Sequence, residues 1–326
     1  MKTYPDLDPA FLPILEAMSA MPLVSSLPPA EARSLWANAD MGEVDAVWEV
    51  RDLEIPGPEG AVPARLYRPQ EPAGLMLYMH GGGWVLGDLA QHDPAVRTFA
   101  NATGCAILSV NYRLAPEHPF PAPLEDAFAS LCWMDEHRAD LTGRDGLPLL
   151  IAGDSAGGNL AAALALLARK RSAPQIDGQI LLYPTIDSRC ATPSWDEHKD
   201  CNLLLAADMR WYWNQYVQDA ADRSNPLATP CAAESLAGLP AAIVAVAGID
   251  VLHDEGVAYA ERLAEAGNDV VLMAYPSLPH GFFNFRPFSS VAAAAFDEIA
   301  ENVRKLIGRA APRQPGDAMQ ASNVER

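Results

Sequence analysis

A serine held between small residues is the first feature that could do chemistry. Gly153-Asp154-Ser155-Ala156-Gly157 fits G-x-S-x-G, and Gly158 follows it. The motif lies between an apolar run, LLIA at 149–152, and a helical pattern, NLAAALALLAR at 159–169. A nucleophile on a strained strand-to-helix turn needs small neighbours, because the backbone doubles back there. The hydroxyl then projects above the sheet, and the Ala156 N–H at the helix N-terminus points to the same reaction centre. The plain alternative is a glycine-rich turn with a capping serine; the strand–turn–helix context favours the nucleophile. Two rival glycine motifs fail. Gly153 and Gly158 have phosphate-loop spacing, but Asn159 stands where lysine is required, and no G-x-G-x-x-G occurs.

A second glycine cluster, Met79-His80-Gly81-Gly82-Gly83-Trp84, follows a short apolar run. Three glycines let backbone N–H groups turn outward and approach a ligand closely. Gly82, Gly83 and Ala156 are the expected oxyanion donors, with His80 holding the loop. A serine nucleophile needs a base and an acid, in the chain order Ser, Asp or Glu, His. Asp250 comes directly after the run AIVAVA, with Gly248 giving room to turn. His280 lies beyond VVLMAY, in the loop PSLPHGFFNF. Of the seven histidines only His253 and His280 come this late, and His253 sits inside the acid loop itself. Asp254 and Glu255, at the start of a helical pattern, read as N-terminal capping and dipole partners.

These residues need a scaffold. Eight strands are expected: Val47–Ile55, Ala64–Tyr67, Leu75–His80, Cys105–Val110, Leu149–Ala152, Gln179–Tyr183, Ala242–Ala247 and Val270–Tyr275. Helical patterns lie near 92–103, 124–139, 159–171, 256–266 and 291–308. Short apolar strands alternating with helices imply an α/β fold, a mostly parallel sheet with helices on both faces. The PGPEG turn after the first strand predicts an antiparallel start. Residues 186–235 interrupt the rhythm with Trp195, Trp211, Tyr212, Trp213 and Tyr216. An insert that long should be a small helical layer rather than a bare loop. Paired with the short helices expected over 1–45, it predicts a helical cap on a catalytic domain of 46–185 and 236–310. Residues 311–326 are polar and read as a disordered tail. Leu205, Met209 and Trp213, spaced i, i+4, i+8, share one helix face. With Trp84 they are the candidate substrate-binding residues, the plain alternative for the stripe being the cap's own core.

Composition excludes several classes. A net charge of −19 argues against nucleic acid and anionic membrane surfaces, and fits a neutral small-molecule substrate. Cys105, Cys132, Cys190, Cys201 and Cys231 are odd in number and never spaced as CxxC, which disfavours a disulfide framework and a structural zinc site. No zinc-hydrolase spacing occurs either, so no metal or cofactor is expected. The first residues, with two early Asp and prolines in the apolar stretch, do not resemble a signal peptide, and no run is long and apolar enough to span a membrane. A cytoplasmic protein is expected, monomeric or paired as a homodimer along a sheet edge near Val270–Tyr275.

Five segments together resemble the bacterial hormone-sensitive-lipase family of esterases: HGGGW at 80–84, YRLAPEHPFPAPLED at 112–126, GDSAGGNL at 153–160, DVLHDEG at 250–256 and HGF at 280–282. The resemblance implies an α/β-hydrolase fold, carboxylesterase activity on short acyl esters, a helical cap and no cofactor. It assigns the same triad, Ser155, Asp250 and His280, and the same oxyanion donors. One departure is Val251, where the family usually carries proline after the acid. An amidase or formamidase with the same triad is the alternative reading. A non-catalytic receptor resembling the plant gibberellin receptors is disfavoured, because such receptors lose the triad histidine and His280 is present.

Overall fold

A computed structural model describes residues 4–36, 44–172, 174–201 and 203–310. The tail expected over 311–326 lies outside them. Eight strands form one sheet: β1 Glu49–Gly57, β2 Gly60–Arg68, β3 Gly74–Met79, β4 Cys105–Val110, β5 Leu149–Asp154, β6 Gly178–Leu182, β7 Ala241–Ile249 and β8 Val270–Pro279. Their order is β1-β2-β4-β3-β5-β6-β7-β8. β1 with β2 and β2 with β4 are antiparallel; every later pair is parallel. The expected antiparallel start is a hairpin turned by Pro58-Glu59, with Gly57 opposite Gly60.

Ten helices accompany the sheet among the described residues: α1 Leu12–Ser19, α2 Pro29–Trp36, α3 Leu89–Thr103, α4 Ala122–Glu136, α5 Arg138–Thr142, α6 Ala156–Arg171, α7 Pro193–Glu197, α8 Ala206–Tyr216, α9 His253–Glu265 and α10 Ser290–Arg309. None is long and apolar enough to cross a membrane. The pattern read as one helix over 124–139 is two, broken at His137.

The central strands are buried on both faces, which is why they read as almost wholly apolar runs. Along β3, Leu75, Leu77 and Met79 join one core, and Met76 and Tyr78 the other. The first core includes Leu131 of α4, Leu160 of α6 and Tyr259 of α9. The second includes Phe99 of α3 and Phe296 and Val303 of α10.

The N-terminal segment and the insert after β6 meet each other. The Ser25 N–H donates to Asp208 Oδ1 at the start of α8 (2.9 Å). Arg33 of α2 donates to the Val85 and Ala115 carbonyls, each at 2.8 Å, and pairs with Glu117. From the far end of α8, the Tyr216 carbonyl accepts the Phe120 N–H (2.8 Å).

Candidate active site

β4 lies on one side of β3 and β5 on the other, so the loops leaving β3 and β5 diverge at their carboxyl ends. Crevices of open α/β sheets form at such a reversal. Met79 and Gly153 are register partners there. The chain after Met79 is the glycine loop; the chain after Gly153 is the elbow. A Cβ on Gly157 would sit 2.0 Å from the Met79 carbonyl oxygen, so only glycine lets α6 begin this close to β3.

Ser155 has φ 55° and ψ −115°. A non-glycine residue with positive φ outside the ordinary left-handed well is strained by about 1–3 kcal/mol. The strain is held from both sides: the Ser155 N–H donates to the Leu182 carbonyl (2.8 Å), and the Ser155 carbonyl accepts the Asn159 N–H (3.0 Å). Asn159 is itself anchored, its amide donating to the Thr185 and Ala228 carbonyls.

Three strand ends bring the candidate triad together. His280 follows β8, and its Nε2 lies 2.9 Å from Ser155 Oγ. Its Nδ1 lies 2.7 Å from Oδ2 of Asp250, which follows β7. Asp250 Oδ1 accepts the Leu252 N–H at 3.0 Å, so both carboxylate oxygens are engaged. Asp250 is 1 % exposed, Ser155 7 % and His280 9 %. A carboxylate can only accept, so the imidazole carries its proton on Nδ1 and leaves Nε2 to accept from the serine hydroxyl. The Tyr183 ring stands edge-on to the imidazole, 4.9 Å between centroids, and fixes its tilt.

The glycine loop turns sharply. Gly82 has φ 110° and Gly83 φ 60°, and the Gly82 carbonyl accepts the N–H groups of Val85 and Leu86. Among the described residues, the N–H groups of Gly82, Gly83 and Ala156 donate to no protein acceptor. Asp154, inside the elbow, ties the two loops: its Oδ1 accepts the Gly81 N–H (2.9 Å) and the Tyr78 hydroxyl (2.7 Å). Burial alone would raise the Asp154 pKa, but His92, 3.8 Å away, and the Tyr78 hydroxyl hold it below the usual carboxylate range. Burial, then the neighbouring His92, pushes His80 down to about 4, so its ring is neutral near pH 7.

The candidate substrate residues part company. Trp84 is fully buried, stacked on Tyr216 at 4.2 Å and tilted against Trp213 at 4.6 Å. Trp213 and Met209 belong to the core on that face of the sheet. Leu205 is half-buried and lines a cleft with Met18, Met21, Leu23 and Tyr212. The i, i+4, i+8 pattern does not include Tyr212. Yet its ring lies so close over Gly83 that a Cβ there would meet it at 2.3 Å. In the sequence, only the crowding of aromatics at 211–213 points to it.

Asp254 and Glu255 do not cap their own helix. The residue before α9 is Leu252, without a side-chain bond. Asp254 Oδ2 accepts the Ser194 N–H (2.8 Å). Glu255 Oε1 accepts the N–H groups of Ile186 (2.7 Å) and Asp187 (3.1 Å), and Oε2 the Trp195 Nε1–H (3.1 Å). Both acids bind the insert to the acid loop, because the first turn of α9 faces that segment rather than solvent.

Residues 76–284 match the model of a protein family described as having the alpha/beta hydrolase fold. The carboxylic ester hydrolase LipN of Mycobacterium tuberculosis is 42% identical over 268 residues, 80% of this chain and 71% of that protein. An ethyl acetate hydrolase of Pseudomonas putida is 36% identical, covering 74% of this chain and 78% of its own length. Among solved structures, an ester-hydrolase from the metagenome of Lake Arreo, complexed with a bipyridine phosphonate derivative, superposes with a TM-score of 0.87. It is 35% identical, with 93% of this chain and 99% of that one covered. With the elbow, the glycine loop and the eight-stranded sheet, these likenesses place the chain in the hormone-sensitive-lipase family of carboxylic ester hydrolases, to which it belongs.

Proposed function

We propose that the chain is a serine carboxylesterase that cleaves short-chain acyl esters through an acyl-enzyme. The observation that carries this reading is the hydrogen-bonded line from Ser155 through His280 to Asp250. In the first half-reaction the Ser155 oxygen bonds to the ester carbonyl carbon as His280 Nε2 takes its proton. The carbonyl oxygen becomes an oxyanion, met by the N–H groups of Gly82, Gly83 and Ala156. The tetrahedral intermediate collapses, the C–O bond to the alcohol breaks, and His280 returns the proton to the leaving oxygen. Water repeats the sequence on the acyl-enzyme and frees the acid. Asp250 holds the ring and stabilises the imidazolium. Each oxyanion donor is worth about 2.7–4 kcal/mol in such a site.

Residues 1–45 and 186–235 act in this reading as a cap over the catalytic unit of 46–185 and 236–310. The cleft lined by Leu205 and Tyr212 then receives the acyl chain. The relative that hydrolyses ethyl acetate supports a short acyl preference. Ser155→Ala should abolish hydrolysis of a short aryl ester without unfolding, and a phosphonate should label the wild type at Ser155. Label on another serine overturns the nucleophile. A chain-length series run beside a matched anilide tests the ester preference; faster turnover of the anilide would make the chain an amidase.

A further inference from the structure

The cleft beside the glycine loop has one charged residue in an apolar wall. Its volume is about 90 Å³, room for several water-sized groups. Met18, Met21, Leu23, Leu203 and Leu205 line it, and Asp208 stands among them. Tyr212, whose ring covers Gly83, lies on the same cleft, so the cleft borders the loop that carries two of the proposed oxyanion donors. Asp208 precedes Tyr212 by four positions on α8, one turn away on the same helix face, about 5–6 Å between Cβ atoms.

A carboxylate among apolar side chains needs partners. Asp208 has one for Oδ1, the Ser25 N–H at 2.9 Å. Among the described residues, Oδ2 makes neither a hydrogen bond nor an ion pair, although Asp208 is only 7 % exposed. Oδ2 is not sealed in the core, so a molecule in the cleft can reach it. The Tyr212 hydroxyl likewise bonds to no described residue. Burial, then the neighbouring Asp208, pushes its pKa up, so it remains a neutral hydroxyl. One group can only accept, and the other accepts as well as donates. That pair fits an ammonium, which brings three N–H donors and the opposite charge. A neutral amide at 208 would hold Ser25 as well, with no charge to desolvate. The chain's net charge of −19 also draws cations toward it.

We propose that this cleft recognises acyl groups whose far end carries an ammonium, with Asp208 Oδ2 and the Tyr212 hydroxyl as its acceptors. The inference rests on the serine-esterase reading and on the cleft's taking the acyl chain. The ester carbonyl lies at the glycine loop and the ammonium one turn along α8. Hydrolysis follows the two half-reactions above and frees the alcohol and an ω-amino acid.

Aryl esters of 6-aminohexanoate, heptanoate and adipate test this, because their acyl groups are alike in length and end in ammonium, methyl and carboxylate. The quantity read is kcat/KM per phosphonate-titrated site, in wild type and Asp208→Asn. Asparagine keeps an oxygen for the Ser25 N–H. An ion left unpaired in an apolar cleft is disfavoured about 10²-fold or more. The wild type should therefore turn over aminohexanoate at least as well as heptanoate, with adipate about 10²-fold slower. In Asp208→Asn the ratio of aminohexanoate to heptanoate should fall about 10- to 100-fold; effects common to both esters cancel. In 1 M salt, where the screening length is about 3 Å, the wild-type ratio should persist, since it owes little to distant charge. Heptanoate outrunning aminohexanoate in the wild type, a ratio unchanged in Asp208→Asn, or a ratio abolished by salt overturns the proposal. Should Asp208→Asn yield no titratable sites, Tyr212→Phe decides by the same comparison, with an expected fall of about 3- to 10-fold. Ser155→Ala is assayed beside them. If it retains turnover the serine reading itself falls; if it is inactive while the wild type favours heptanoate, only the ammonium site falls.

Discussion

Replacing Asp250 by asparagine tests the acid with little change in shape. The aspartate uses both oxygens, Oδ2 toward His280 Nδ1 at 2.7 Å and Oδ1 toward the Leu252 N–H at 3.0 Å. Asparagine has one oxygen for two donors. If that oxygen stays on Leu252, the amide NH2 faces Nδ1. The ring proton must then move to Nε2, where it points at Ser155 and blocks proton transfer. If the amide flips, NH2 meets the Leu252 N–H, and a buried donor is left unpaired at about 1–3 kcal/mol. That cost makes the competent arrangement roughly 5- to 150-fold rarer. The wrong-tautomer limit is the larger: in a serine protease the equivalent change lowers turnover about 10⁴-fold. Turnover of Asp250→Asn should therefore fall about 10²- to 10⁴-fold. Steady-state hydrolysis of a short aryl ester, with urea unfolding to establish the fold, measures it. Asp254→Asn is the control, because Asp254 accepts the Ser194 N–H and does not touch His280. It should cost about 1 kcal/mol of stability and little turnover. Near-wild-type turnover in Asp250→Asn, or a collapse of turnover in a folded Asp254→Asn, refutes the reasoning.

Trp213→Ala should lower the unfolding free energy by about 3–5 kcal/mol, because a fully buried indole packed against both Trp84 and Tyr216 leaves a large cavity; urea midpoints measure this. Leu205→Ala, at the cleft edge, should keep the fold and move the chain-length profile toward longer acyl groups. Glu255 gives a pH dependence. Burial raises its pKa to about 8, against the pull of its three N–H donors. The folded state thus holds the proton more tightly than the unfolded one. This stabilisation is complete below about pH 4.5 and is lost as pH rises through about 8, at up to about 1.4 kcal/mol per unit. Wild type should therefore lose stability over that window relative to Glu255→Gln; parallel denaturation curves at pH 5 to 9 would show otherwise. EDTA should leave hydrolysis unchanged, since the proposed steps use only N–H donors and the three triad side chains.

Much of the scaffold is visible in one dimension. β3, β4 and β5 are buried on both faces, so their runs are almost wholly apolar, with Ser109 the polar residue inside β4, and their limits are nearly those expected. Ser155, Asp250 and His280 follow from chain order, because each ends a strand at the same edge. Helix starts are less legible. α6 begins at Ala156, three residues before its apolar pattern, because Gly157 and Gly158 read as turn while they serve close packing against β3 and Pro184. Partnerships across distance are not legible at all. Nothing near Glu255 announces Trp195, 60 positions earlier, and nothing near Gly81 announces Asp154, 73 positions later. Tyr212 escapes the i, i+4, i+8 repeat although it is buried, because the ring over Gly83 lies one position off that stripe.

The three proposed triad residues hang from β5, β7 and β8, and β8 is one of the sheet's two outer strands, paired only with β7. On the proposed mechanism catalysis therefore depends on the last strand to be made, an edge strand with a single neighbour. A nascent chain ending before it can bury most of the central core yet hold no base. Domains fold broadly in the order they are synthesised, so hydrolysis should be the final property a growing or refolding chain acquires, after its helical signal has returned. The same geometry works in reverse. Edge strands open at lower free energy than whole domains, and each such opening carries His280 away while the rest of the sheet stands. On heating, inactivation should run ahead of unfolding, and an activity half-life would report the hold of β7 on β8 rather than the stability of the domain.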